Sequence, residues 1–174
     1  MFRRVTYVCS TANEMRDEDI HRLYSVASVN AARDSLTGLT VYHRKGMFHI
    51  REGESQLVSN SIVRAESQGW HYNLSIVEDA EFSERLFGEW NLAYLPEDPA
   101  SLLNGEHLLD LAVMRDDPKL ARANQNLTFS TFLDVFLGDF AAETKSTHSS
   151  QQALEFQSKP EFIKRISEGA AQRA

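Results

Sequence analysis

The chain has 174 residues, a formal net charge of -7 and a single cysteine. That length suits one domain of ~100 to 150 residues with an appendage, and one thiol excludes an internal disulfide framework or a multi-cysteine zinc or iron–sulfur centre. The acidic balance argues against a broad nucleic-acid footprint, since phosphate contacts draw on clustered Lys and Arg. The start, Met1 to Val5, lacks the apolar run of ~7 to 15 residues of a secretory signal. No apolar stretch approaches the ~18 residues of a membrane span. A cytoplasmic protein without membrane contact is expected.

Val5, Tyr7 and Cys9 alternate with Thr6, Val8 and Ser10, the period-2 signature of a strand with two faces. After a polar stretch from Thr11 to Asp19, Ile20, Leu23, Tyr24, Ala27 and Ala31 recur at helical spacing, and Asp17, Glu18 and Asp19 sit where a helix dipole favours acids. Leu39–His43 and Met47–Glu52 form a hairpin around Arg44-Lys45-Gly46, with positive φ expected at the glycine. A second helix is expected from Ser55 to Gln68, with Val58, Ile62 and Ala65 on one side and Gly69 as its stop. Strands at Leu74–Val77 and Trp90–Tyr94 follow, separated by a charged segment with Glu81, Glu84 and Arg85.

The order β, α, β, β, α, β, β predicts an α+β, ferredoxin-like split βαββαββ sheet with both helices on one face. Parity assigns to that face Val5, Tyr7, Cys9, Met47, Trp90 and Leu92, with Val41 opposite His49. The other face carries Val8, Tyr42, Phe48 and Ile50, too apolar to be left in water. Leu102–Met114 and Leu127–Phe140 are expected to form a helical cap over it. The predicted organisation is a domain at 1–96, a cap at 97–142 and a tail at 143–174. In the tail, Thr144–Gln152 resembles a linker and Pro160 could start a short last helix ending near Gly169.

Few residues carry a chemical signal. Cys9 reads as a small buried hydrophobe, with no helix N-terminus or fixed base beside it. The six histidines are scattered without metal-ligand spacing, so no metal site is expected. A hydrolase would need a base and an anion cradle, and neither is visible. Tyr7 and His49 stand out, because two polar rings point into an apolar, helix-covered face and each requires a hydrogen-bond partner, whether the other ring or a backbone carbonyl. Trp90 shares that face and reads first as core. Asn30 reads as a helix terminator.

The segments Val5-Thr6-Tyr7-Val8-Cys9, Asn30-Ala31-Ala32-Arg33, Leu36-Thr37-Gly38-Leu39, Gly46-Met47-Phe48-His49-Ile50-Arg51-Glu52-Gly53, Trp70-His71 and Phe87-Gly88-Glu89-Trp90-Asn91-Leu92, in that order, resemble the BLUF family of blue-light sensors using flavin. The resemblance spans residues 3 to 95. It implies a flavin between the two helices, with FAD expected and FMN or riboflavin as alternatives. It also implies photoactive roles for Tyr7, His49 and Trp90, and flavin contacts at Tyr7, Leu23, Ala27, Asn30, Ala31, Arg33, His49, Arg64, His71 and Leu92. Tyr7 matches the family's electron- and proton-donating tyrosine.

Departures from the family pattern cluster at the flavin. His49 stands where the family has the glutamine that switches hydrogen bonds, Ala31 where it most often has an asparagine, and Leu92 where a methionine is common. Trp70 stands where an arginine sometimes serves the phosphate side. A carboxamide carries donor and acceptor on one rotatable group, whereas an imidazole splits them across a rigid ring. Two functions follow. One is a photoreceptor that signals through altered hydrogen bonds to a downstream protein partner, with a homo-oligomer expected. The other is an adaptor module that kept the fold and lost light sensing. No cyclase or phosphodiesterase fits in residues 96 to 174, so output through protein contacts is expected.

Overall fold

The computed structural model describes residues 1–97, 100, 102, 105 and 107–144, with side chains up to residue 138. The chain divides into two compact units, Met1–Arg122 and Ala123–Ala174. The first contains β1 (Phe2–Ser10), α1 (Asp17–Arg33), β2 (Thr37–His43), β3 (Gly46–Gly53), α2 (Ser55–Ser67), β4 (Tyr72–Phe82), β5 (Trp90–Tyr94) and β6 (Leu108–Asp110). These strands make one sheet in the order β4-β1-β3-β2-β5-β6. Its pairs are antiparallel except β2–β5 and β5–β6. This is the expected ferredoxin-like α+β layout, extended at one edge.

Local chemistry accounts for the helix limits. Asp17, Glu18 and Asp19 occupy the first turn of α1, and the Asp19 carboxylate accepts from the Arg16 backbone N–H at 3.3 Å, satisfying a donor outside the helical ladder. The start of α2 is capped by Glu54, whose carboxylate accepts from the Gln56 and Leu57 N–H groups at 3.1 and 3.3 Å. It ends at Ser67 with Gln68 as its C-cap, followed by Gly69 at φ 68°. Ile20, Leu23 and Ala31 of α1 and Val58 and Ile62 of α2 share one core with Val5, Tyr7 and Cys9 of β1. Both helices therefore lie on one face of the sheet. Each large aliphatic side chain there contributes about 1.5–3 kcal/mol by leaving water.

The structure corrects the hairpin register. Arg44, not Gly46, takes positive φ (52°), and Gly46 already pairs with His43 as the first residue of β3. The turn is thus one residue tighter than expected. His49 consequently faces Thr40 rather than Val41, and Tyr42 pairs with Met47. A shift of one residue exchanges faces. Tyr42 joins the helix-side core, where its hydroxyl accepts from the Met15 N–H at 2.6 Å, while Val41 moves to the opposite side.

Two further differences lie at the sheet edges. β4 continues through Glu81 to Phe82, because it pairs with β1 along its length and its outer edge tolerates charge. Residues Leu102–Met114, expected to be helical, include strand β6 instead, which pairs in parallel with β5. Run-length alone cannot separate a short apolar strand from a helix segment. With β6 in the sheet, the first compact unit continues to Arg122. After the short helical turn α3 (Ala121–Asn124), the expected helix near Leu127–Phe140 is α4 (Leu127–Thr144). The linker beyond Thr144 and the helix at Pro160 lie outside the described residues.

Across the sheet from the helices, Arg4 and Glu52 pair directly between β1 and β3. The Arg4 Nε donates to Glu52 at 2.6 Å, with both side chains at most 5% exposed. Glu52 also accepts from Thr37 Oγ1 at 3.3 Å and from the backbone N–H groups of Leu86 and Phe87 at 2.9 to 3.1 Å. A buried charge persists when its lone pairs are all occupied. This cluster ties the segment ahead of β5 to the sheet.

Candidate functional site

A cleft of about 60 Å³ opens between α1 and α2 above the sheet, lined by Leu23, Ala27, Asn30 and Ala31 from α1 and by Ser61, Arg64 and Ala65 from α2. Thr40, His49, Arg51 and Trp90 come up from the sheet, and His71 closes one end. That space would hold about four to six waters, so side chains do not pack the helix–sheet junction solid. Gly38 is required beneath it. Its φ is 144°, and a Cβ there would meet the Ile50 carbonyl oxygen at 2.0 Å. Without a side chain, β2 approaches β3 closely enough for Gly38 to pair with Arg51, and on its other edge Gly38 pairs with Trp90 of β5.

His49 is 1% exposed and Tyr7 fully buried. Their rings stack at a centroid distance of 4.5 Å and an interplanar angle of 17°. They do not hydrogen-bond to each other. Thr40 Oγ1 lies 3.0 Å from His49 Nδ1, which leaves Nε2 as the other polar atom of the ring. His49 Nε2, the Tyr7 hydroxyl and Trp90 Nε1 are all buried without a hydrogen-bond partner. Arg51 is near enough to Tyr7 to act on it through charge and as a weak donor, but no contact reaches hydrogen-bond geometry. Three orphaned polar atoms around one cleft are unusual, since native interiors pair nearly all such groups.

Burial and Arg51 set the charge states. Burial raises the Tyr7 phenol against the opposing charge of Arg51, so it keeps its proton at neutral pH. Burial, then Arg51 and His71, hold His49 well below the ordinary imidazole range. His71 is lowered to about 4, chiefly by burial and then by Arg51. Its Nδ1 lies 3.1 Å from the Ala65 carbonyl, which can only accept, so Nδ1 carries the hydrogen and Nε2 the lone pair. Both imidazoles are neutral at pH 7. At the rim, Arg64 is held by Asp34, which also pairs with Arg33 at 2.8 Å. The hydrogen bond from Arg33, with Arg64 adding to it against burial, lowers the Asp34 carboxyl.

A family model described as BLUF, "Sensors of blue-light using FAD", matches residues 2–93. The chain belongs to this family. Similar solved structures include a bacterial light-regulated adenylyl cyclase, with 19% identity, a TM-score of 0.55 and coverage of 97% of this chain and 40% of that one. The manganese/cy-diGMP complex of Klebsiella pneumoniae BlrP1 has 16% identity and a TM-score of 0.56 over 76% of this chain and 33% of that one. The photo-activated state of BlsA has 16% identity and a TM-score of 0.52 over 76% and 91%. At these identities the likeness shows the fold alone. The chain spans 40% of the light-regulated cyclase's length. No curated protein matches the chain. Among the described residues no helix is long and apolar enough to cross a membrane.

Of the residues expected to contact flavin in a BLUF domain, Leu23, Ala27, Asn30, Ala31, His49, Arg64 and His71 line the cleft, as does Trp90. Tyr7 and Leu92 are buried and do not line it. The His49 ring, stacked on Tyr7, belongs to the lining instead. Arg33 does not line the cleft either; it is spent on Asp34. Sequence reasoning missed Thr40, because the hairpin register was one residue off. It also missed Arg51, which parity with His49 could have found, and which lies 5.4 Å from the Trp90 ring centroid. Spacing of the histidines gave no hint that ligand atoms of Cys9, His49 and His71 lie within 4.8 Å of one another. These come from β1, β3 and the turn before β4, so only the fold brings them together.

Proposed function

We propose that this BLUF domain is a working blue-light photoreceptor that binds flavin between α1 and α2. The observation that carries this reading is the pair of unpartnered polar atoms on cleft-lining residues, His49 Nε2 and Trp90 Nε1, with the unpartnered Tyr7 Oη buried behind the His49 ring. An unmet buried group costs about 1–3 kcal/mol, and a flat heteroaromatic ligand with donors and acceptors on its edge can reach those on the floor. Asn30 offers a carboxamide beside Ala31, and Arg64, whose Nη2 pairs with Asp34, keeps further guanidinium N–H groups for a phosphate chain, which supports FAD as the flavin.

A bound flavin supplies an oxidant when it absorbs blue light. The chain's own residues hold the proton on Tyr7 Oη, keep His49 neutral and orient its ring through Thr40. The Thr40 hydroxyl can donate to His49 Nδ1 or accept from it, so Nε2 can carry either a proton or a lone pair. That exchange gives the histidine two hydrogen-bonding states without rotation of its ring. Output through contact with a downstream protein belongs to the same reading.

Absorption spectra of the purified protein test it. A yellow protein whose flavin band shifts to the red in blue light and recovers in darkness supports the proposal. A colourless protein overturns it and leaves the adaptor function. A yellow protein with no shift overturns light sensing while retaining flavin binding. Chromatography of the heat-released ligand identifies the flavin.

A further inference from the structure

We propose that Cys9, His49 and His71 form a binding site for a thiophilic d10 cation, zinc(II) or copper(I), at the β1 side of the cleft. Their ligand atoms already lie within 4.8 Å of one another. Metal bonds of ~2.0–2.3 Å bring such atoms to roughly 3.5 Å apart, a difference that side-chain rotation of about an ångström supplies.

The imidazoles are prepared for this role. Metal-bound histidines characteristically engage their second nitrogen with a carbonyl or another polar group, which fixes the tautomer and aims the ring. His71 Nδ1 is held by the Ala65 carbonyl at 3.1 Å and His49 Nδ1 faces Thr40 Oγ1 at 3.0 Å, so each presents Nε2. His49 Nε2 is buried and has no partner, the condition of a ligand awaiting its ion. His49 and His71 both line the cleft, which gives an ion a route in.

Charge and softness choose the cation. Cys9 binds as a thiolate by releasing its proton, and Arg51, whose charge bears on both histidines, disfavours any large positive excess. One thiolate and two neutral imidazoles neutralise copper(I) in a three-coordinate site. They leave zinc(II) with one net charge and a fourth position open to the cleft. Calcium or magnesium would find no oxygen ligands among these three groups. His49 has one free ring nitrogen, so a cation there and a hydrogen bond from a ligand in the cleft exclude each other. The site does not depend on flavin being bound.

The test uses the full chain after chelator treatment. In one arm cobalt(II) is added as the spectroscopic stand-in for zinc, and the thiolate-to-cobalt charge-transfer band is followed and then displaced with zinc(II). In the other, the chain competes with bicinchoninate for copper(I). The expected result is one equivalent of cation in at least one arm, lost in Cys9→Ser and in His71→Gln, and weakened about 10- to 100-fold in Thr40→Val, which removes the group that aims His49. Circular dichroism checks that each variant folds, and His71→Gln, at a partly exposed position, serves if Cys9→Ser does not. Cys9 does not line the cleft, so Cys9→Ser should abolish cation binding and leave flavin content unchanged, which separates this proposal from the photoreceptor reading. Absence of stoichiometric binding in both arms overturns it, as does binding that survives Cys9→Ser and His71→Gln.

Discussion

Arg4–Glu52 and Tyr7–His49 are rungs of the same β1–β3 ladder, three residues apart and on opposite faces of the sheet. Both put polar groups in the interior. Glu52 accepts from a guanidinium, a hydroxyl and two backbone amides, whereas Tyr7 Oη and His49 Nε2 have no partner. The contrast separates structure from function. A buried polar cluster whose bonds are all made specifies and holds a fold, while one left open at a cleft marks where something else is to bind.

That contrast can be broken by substitution, beginning with the largest effect. Glu52→Ala leaves Arg4 buried and unpaired and should cost about 3–5 kcal/mol in urea denaturation. A loss below ~1 kcal/mol would mean that water readily reaches the pair. Gly38→Ala forces a Cβ against the Ile50 carbonyl at positive φ and should cost about 1–3 kcal/mol in backbone strain alone, with flavin content falling in parallel as β2 moves from β3. An unchanged melting temperature and flavin content would count against the tight β2–β3 approach.

Acid gives a smaller, graded effect. His43 and His71 are lowered to about 4, each chiefly by burial, and His49 is held well below 6.5, again chiefly by burial. Their folded values lie below the unfolded one, so the unfolded chain takes up protons first. Stability is therefore full above pH ~6.5 and declines as pH falls from there toward about 4. Each histidine contributes at most about 1.4 kcal/mol per pH unit, and less for His43 and His71, which solvent partly reaches. His49→Gln should flatten the slope of stability against pH; an unaltered slope would show that His49 is not held neutral.

The smallest change is expected at the open rung. Tyr7→Phe in flavin-free protein removes a hydroxyl that has no partner, so stability should move by less than about 1 kcal/mol or rise. The red shift under blue light should disappear in the flavin-loaded variant. Destabilisation comparable to that of Glu52→Ala would erase the distinction between the two rungs.

Much of this was legible before any coordinates. Alternation in β1, the acid-led start of α1 and Gly69 at the end of α2 are local signals, set by side-chain parity, the helix dipole and glycine's tolerance of positive φ. They placed both helices on the Tyr7 face, and the ordered motifs pointed to most of the residues that line the cleft. Less legible were features set by pairing partners. The hairpin turn chose Arg44 for positive φ and so decided that Thr40, not Val41, faces His49. β6 is a strand because β5 offers it an edge, which no apolar count in Leu102–Met114 could reveal.

The sequence by itself determined the types and order of the elements from β1 to β5 and the identity of Tyr7, His49 and Trp90 as polar groups on an apolar face, because these depend on neighbours within a few residues. Tertiary structure alone decided that His49 stands between Tyr7 and the cleft, that Asp34 at the end of the first helix reaches Arg64 of α2, and that Cys9, His49 and His71 converge. Such contacts join residues tens of positions apart, and their distances are set by strand register and packing, quantities that no local pattern encodes.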